Sequence, residues 1–419
     1  MEYRIWHPFT QHGQKAEMPE IVAASGSWIT DKSGQRYFDA ISSWWVNLHG
    51  HSHPHIAGRV NEQMKTLEHV IFSGFTHAPA QELCNRLMNH LPKNDWKFFF
   101  SDNGSTAIEV AVKMAIQYLR QQEVGTKVKV IGLEGSYHGD TFGAMSVAER
   151  SVFTTSWDDF LFEVVHIPAP LPGCENACLE ALEGHADSNT VFIYEPLIQG
   201  AGGMRMYADE ALQDMLSLAQ SKGCILIADE VMTGFGRTGR WFASSASEIV
   251  PDIICLSKGL TGGALPMSLT VCGNHLYEAF LDERFIKGFL HGHSFTGNPV
   301  GCAAALASLD LMEEDATWEA IFMIENEIAK IAKRLTVLEN VTDIRHKGTI
   351  LAFEYAGVGS YDHQMREVLY EGFMHAGHLI RPLGNTVYIM PPYCTTKEEL
   401  ENIGTVIIEV ITRIEEEQF

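Results

Sequence analysis

Cys224-Ile225-Leu226-Ile227-Ala228-Asp229-Glu230, followed by Ile253-Ile254-Cys255-Leu256-Ser257-Lys258-Gly259, decides the fold of this chain. Each run is apolar throughout rather than alternating, as expected of a parallel strand covered on both faces. Each then delivers charge and enters a glycine-rich loop, Gly234-Phe235-Gly236-Arg237 or Gly259-Leu260-Thr261-Gly262-Gly263. Ligands of open α/β sheets bind at the carboxyl ends of the strands. A carboxylate, Asp229, and an amine, Lys258, are thus expected on one rim of one sheet.

Working outward, further strands are expected at Lys97 to Phe100, Val128 to Leu133, Phe162 to Ile167, Thr190 to Tyr194 and Ser268 to Cys272. Between them, Ser105 to Gln121 and Asp209 to Ser221 carry apolar residues at three- and four-residue spacing and read as helices. The alternation predicts an α/β chain with a large, doubly wound, mostly parallel sheet over residues 51–300. Long helices at Pro299 to Met312 and Ala320 to Leu338, then short strands and helices, predict a smaller α+β domain over 301–419. Residues 1–50 hold a strand pair, Ser27 to Thr30 and Arg36 to Asp39, and are expected to join the small domain and the active site.

Composition excludes several classes. The 419 residues include 30 Lys and Arg against 53 Asp and Glu, a net charge of −23, which disfavours nucleic acid. A phosphate must then be held by local dipoles. No apolar stretch reaches membrane-spanning length and no signal segment follows Met1, so a cytoplasmic chain is expected. Eight dispersed cysteines, mostly inside apolar runs, read as reduced thiols.

Ser101-Asp102-Asn103-Gly104-Ser105-Thr106 lies between a strand and a helix, where free amides and hydroxyls would cup a phosphate; it is equally an ordinary helix cap. It lacks both the P-loop and the dinucleotide signatures. Tyr137, in Gly135-Ser136-Tyr137-His138-Gly139-Asp140, offers a ring to stack on a flat cofactor. A lysine in a desolvated site can form a Schiff base, and a nearby aspartate can hold a ring nitrogen protonated, the arrangement that pyridoxal phosphate requires. His49, His51, His53 and His55 alternate, but Gly50 and Pro54 break the strand and no carboxylate stands at ligand spacing, so no metal is expected.

These residues resemble the class III (ω) aminotransferases, through Leu226 to Gly239 and Pro251 to Gly263, and the likeness extends over nearly the whole chain. Ile5 to Thr10, Ser42 to Gly50, Tyr137 to Ser146, Gln199 to Met206, Arg381 to Gly384 and Met390 to Tyr393 are similar to the branch that aminates 7-keto-8-aminopelargonate in biotin synthesis. The resemblance implies pyridoxal-phosphate-dependent transferase fold type I, small-molecule substrates and a homodimer with shared active sites. It implies Lys258 as Schiff-base lysine and proton shuttle, Asp229 on the pyridine nitrogen and Tyr137 against the ring. Gly104 and Ser105, with Ser294 from the neighbouring subunit, would hold the phosphate. Phe9, Trp44, Trp45, Asp140, Arg237 and Gly292 would shape the substrate pocket, and Arg381 would receive a carboxylate. Phe9 stands where the branch often has Tyr, and His293-Ser294 replaces a Pro-Thr pair, which leaves adenosylmethionine and lysine both open as amino donor. The alternatives are an ω-aminotransferase for ornithine, 4-aminobutyrate or β-alanine and, from another class, a histidine-cluster metal module. Glu195, at a strand end, is a plausible pocket carboxylate.

Overall fold

The computed structural model describes residues 4–13, 18–92, 95–122, 127–355 and 364–417. Its largest sheet has seven strands: β1 (Trp96–Ser101), β2 (Lys129–Leu133), β3 (Val165–Ile167), β4 (Thr190–Tyr194), β5 (Ile225–Asp229), β6 (Ile253–Leu256) and β7 (Ser268–Gly273). Their order is β1-β7-β6-β5-β4-β2-β3. All run parallel except β7, which lies antiparallel between β6 and β1. The expected mostly parallel sheet is present, with that one reversal.

Alternation along each strand explains why the runs are apolar throughout. Val191, Ile193 and Ile227 pack with Ile108, Ala111 and Ala115 of the helix Gly104–Gln121. Phe192, Tyr194, Leu226 and Ala228 point the other way, onto Leu212, Met215 and Leu216 of the helix Asp209–Ser221. Each buried Leu or Ile contributes about 1.5–3 kcal/mol, so neither face tolerates charge. Only the strand ends are free to carry it.

The C-terminal part is a three-stranded antiparallel sheet, Val341–Lys347, Ile350–Tyr355 and Thr386–Ile389. The helices Asp315–Leu335 and Lys397–Glu417 share its core through Ile324, Ile328, Ile403 and Ile407. The first of these starts earlier than Ala320, because the Trp318 indole donates to the Met312 carbonyl at 2.9 Å and anchors the opening turn. The N-terminal strand pair is part of a four-stranded sheet whose other members are Ile21–Ser25 and His378–Leu379. His378–Leu379 runs parallel to Arg36–Asp39, tying the two ends of the chain together. Among the described residues no helix is long and apolar enough to cross a membrane.

Candidate active site

A cavity of about 1350 Å³ opens over the carboxyl ends of β1, β4, β5 and β6. Asp229 closes β5, Lys258 follows β6, Glu195 follows β4, and Asn103, Gly104 and Ser105 follow β1; all line it. Tyr137 and His138 enter from the loop after β2, and Val231 from the turn after Asp229. The doubly wound topology thus gathers residues far apart in sequence at one rim.

Asp229 is buried, and its carboxylate has two hydrogen-bond partners. Its Oδ1 accepts from the Val231 amide at 3.0 Å and its Oδ2 lies 2.7 Å from His138 Nδ1. Burial alone would push the His138 pKa down, but the hydrogen bond and charge of Asp229, with Glu195 behind them, hold it above its ordinary value. His138 Nε2 is buried without a partner among the described residues. Glu195 accepts from the Tyr137 amide at 3.1 Å and the Gly200 amide at 2.9 Å. Burial and then the neighbouring Asp229 push it up to about 7, against the pull of His138, so near neutrality it is a carboxyl as much as a carboxylate.

Lys258 sits at φ 43°, an unusual left-handed conformation for a lysine. Its Nζ makes no hydrogen bond or ion pair among the described residues and lies 4.5 Å above the Trp45 ring. Desolvation lowers its pKa to about 8, with Asp229 and Glu195 opposing and Arg237 reinforcing the shift. An amine in that range is a competent nucleophile and proton carrier at physiological pH.

At the β1 end, Asn103 caps the helix Gly104–Gln121 through a reciprocal pair: the Thr106 amide donates to Asn103 Oδ1 at 3.0 Å, and the Asn103 amide to Thr106 Oγ1 at 3.1 Å. The amides of Gly104 and Ser105 keep no acceptor among the described residues and stand at the positive end of an 18-residue helix. The walls approach closely. A Cβ on Gly104 would meet Val231 Cγ1 at 2.7 Å, and one on Gly139, at φ 124°, would meet Ser105 Oγ at 1.9 Å.

The opposite end of the cavity is aromatic. Ser42, Ser43, Trp44 and Trp45 have φ of 49, 45, 74 and 72°, one left-handed turn that costs about 1–2 kcal/mol per residue. Trp45 Nε1 donates to Tyr388 Oη at 2.9 Å. Trp44 faces Phe9 at 5.4 Å between ring centroids and carries the Arg381 guanidinium 5.1 Å above its own ring. Arg381 donates to the Phe9 carbonyl at 3.3 Å. A cation over an indole at the cavity wall can meet a carboxylate with its remaining donors.

Of the residues expected from sequence, Phe9, Trp44, Trp45, Gly104, Ser105, Tyr137, Asp140, Asp229, Lys258 and Arg381 all line this one cavity. Arg237 does not. It is fully buried behind the tryptophans, donating to the Pro391 carbonyl at 2.9 Å and the Trp45 carbonyl at 3.3 Å, so it supports the pocket wall rather than forming it. Gly292 and Ser294 are exposed and outside the cavity of their own chain. The histidines at 49, 51 and 55 diverge onto Ser308, Asp39 and Asp310. Among the described residues no group of three or more His, Cys, Asp or Glu could hold a metal. The reading from sequence missed His138: its signal was proximity to Tyr137 in a loop that follows a strand, which does not reveal the partner across the sheet.

The chain is similar to known proteins over nearly its whole length. The family model for class-III aminotransferases matches residues 10–411. The adenosylmethionine-8-amino-7-oxononanoate aminotransferase of Synechococcus elongatus is 43% identical, covering 98% of this chain and 99% of that one. The crystal structure of the enzyme of that name from Methanocaldococcus jannaschii superimposes with a TM-score of 0.93 at 33% identity, covering 98% of this chain and 97% of that one. An amine transaminase from an uncultivated Pseudomonas species, solved in a PLP-bound form, gives 0.92 at 27% identity with 99% of each chain covered. With a family match over residues 10–411 and relatives at up to 43% identity over nearly its whole length, this chain belongs to the class-III aminotransferases.

Proposed function

We infer that the chain is a pyridoxal-phosphate-dependent transaminase that aminates 7-keto-8-aminopelargonate to 7,8-diaminopelargonate. The observation that carries the cofactor is the convergence of three groups in one cavity: the Gly104 and Ser105 amides, without acceptors among the described residues, at one end, the Lys258 amine, without a hydrogen bond among them, in the middle, and the His138-bound Asp229 carboxylate below. These fit a phosphate, an aldehyde and a protonated ring nitrogen. When bound, the cofactor supplies a carbonyl that captures amines and a ring that draws electrons from the bond being broken. Relatives at 32 to 43% identity bearing the adenosylmethionine-8-amino-7-oxononanoate name support the substrate.

The chain's own residues divide the work. Asp229 would face a positive ring nitrogen, and His138 orients the Asp229 carboxylate toward it. Lys258 Nζ, readily neutral, takes the proton from the donor's amine-bearing carbon and returns one to the carbon that receives nitrogen. Trp44, Trp45 and Phe9 exclude water from the aliphatic part of the substrate, and Arg381 meets its carboxylate. Both halves of a ping-pong cycle use the same lysine. Adenosylmethionine and lysine remain the two candidate donors, and single-turnover mixing with each identifies the one that converts the cofactor.

A reading on ornithine, 4-aminobutyrate or β-alanine is less well supported, because those substrates are short and this cavity is long and aromatic. For Arg381→Lys, which keeps the charge and loses the planar fork, KM for the keto acceptor is expected to rise by about tenfold or more with kcat little altered. Steady-state kinetics check it; an unchanged KM argues against the carboxylate role. Gly139→Ala forces a side chain into the left-handed region and onto Ser105, so pyridoxal phosphate affinity is expected to fall by about ten- to a hundredfold. Equilibrium titration of the apo form measures that loss.

A cytoplasmic homodimer belongs to the same proposal. Exposed Ser294 is expected to reach the phosphate in the partner's cavity. The segments around it support a partner face: His69 and Phe295 are 5.4 Å apart between ring centroids, and the apolar side chains of Ile71, Phe75 and Phe295 are each exposed.

A further inference from the structure

The turn that carries Trp44 and Trp45 is held in its left-handed conformation by a buried carboxylate that the chemistry does not use. Asp39 is fully buried, at the end of the strand Arg36–Asp39, and no lysine or arginine pairs with it among the described residues. Four groups converge on it. The Ser43 amide donates to Oδ1 at 2.9 Å and the Ser43 hydroxyl to Oδ2 at 2.7 Å. The Ile41 amide lies 3.4 Å from Oδ1 and His51 Nε2 2.8 Å from Oδ2. Asn47 Nδ2 stands 2.9 Å from His51 Nδ1 and, as the donor of that contact, leaves the imidazole proton on Nε2, facing Asp39. A buried anion needs this many donors to remain charged.

The opposite side of the turn is gripped as well. The Ser42 hydroxyl donates to the Met390 carbonyl at 2.7 Å, and Arg237 donates to the Trp45 carbonyl. A Cβ on Gly263, in the loop after Lys258, would come within 3.0 Å of Val46 O and Asn47 Cα, so that loop leaves the turn no room to relax on its side. Only Trp44 is substantially exposed, and it is exposed to the cavity mouth. The left-handed turn has intrinsic strain, and the donors that offset it are concentrated on one carboxylate.

We propose that Asp39, with His51 and Ser43, is a positioning unit that sets the shape of the substrate pocket by locking the Trp44–Trp45 turn left-handed. Asp39 and His51 do not line the cavity, and Ser43 stands on its wall beside Trp44, so their loss acts on substrate fit and spares the chemistry at Lys258. The substrate named in its test rests on the function proposed above.

The test compares holoenzyme variants Ser43→Ala, Asp39→Asn, His51→Ala and His51→Gln. The glutamine retains a side-chain N–H at the reach of His51 Nε2. Ser43→Ala, Asp39→Asn and His51→Ala are expected to raise KM for 7-keto-8-aminopelargonate by about tenfold, the worth of one hydrogen bond to a charged group. Expected alongside are a kcat within about twofold of wild type, undiminished cofactor content and recovery of KM in His51→Gln. An unchanged KM, a kcat that falls together with cofactor content, or a glutamine variant no better than alanine overturns the proposal. Should Asp39→Asn fail to fold, Ser43→Ala, which removes one exchangeable hydroxyl, carries the same comparison. A wild type inert toward the keto acceptor refutes the substrate instead. The turn is then read from a crystal structure of Ser43→Ala, where persistence of all the positive φ values from Ser42 to Trp45 overturns the positioning role and their loss supports it.

Discussion

Lys258→Ala is expected to lower turnover by about 10⁴-fold or more, the upper range for a positioned acid–base group that is also a nucleophile. Borohydride treatment followed by denaturation should leave pyridoxal phosphate attached to the wild-type chain and none attached to the variant. Phosphate contacts at Gly104 and Ser105 survive the substitution, so the variant should still bind the cofactor reversibly. The wild type carries a companion expectation in pH. Desolvation depresses Lys258 to about 8, so the neutral, attacking form dominates above that value and not only above the usual lysine range. The rate at which apo protein captures the cofactor should climb with pH through a midpoint near 8 and level off above it. A rate still climbing toward 10 would contradict the desolvated environment of the amine.

The second large effect belongs to Asp229. Asp229→Asn preserves shape and removes the anion, and kcat is expected to fall by about 10²- to 10³-fold, as for loss of one preorganised electrostatic partner. Two interactions are lost together. The ring nitrogen has no counter-charge, and His138, whose raised pKa depends first on its bond to Asp229 against the effect of burial, drops back toward the neutral imidazole. Its titration by NMR should move downward in the variant. A kcat within tenfold of wild type, or an unmoved His138, would sink the assignment.

Much of this site was legible from sequence because strand ends follow from periodicity. A fully apolar run must be buried on both faces, so the first charged residue after it stands at a rim, and Asp229 and Lys258 were found that way. Arg237 shows where such reasoning stops. The resemblance placed it among the residues that shape the pocket, yet its direction is set by carbonyls at Trp45 and Pro391 that only the closed tertiary structure brings near. His138 and Asp39 were missed for the same reason, since their partners come from another strand or from beyond a tight turn. The left-handed turn itself leaves no mark in Ser42-Ser43-Trp44-Trp45, residues with little intrinsic preference for positive φ. Helix and strand bodies were recovered closely, and the antiparallel sense of β7 was not, because a fully buried strand reads alike in both directions.

The bond from Ser42 to the Met390 carbonyl, and that from Arg237 to Pro391, also bear on how the protein is made. The aromatic wall near the amino terminus is completed by carbonyls close to the other end of the chain. A nascent chain therefore holds an unfinished substrate wall until Met390 and Pro391 have emerged. Completion of that wall is accordingly a late step of folding, and loss of the segment carrying Met390 and Pro391 should impair substrate fit before it deprives the large sheet of its fold.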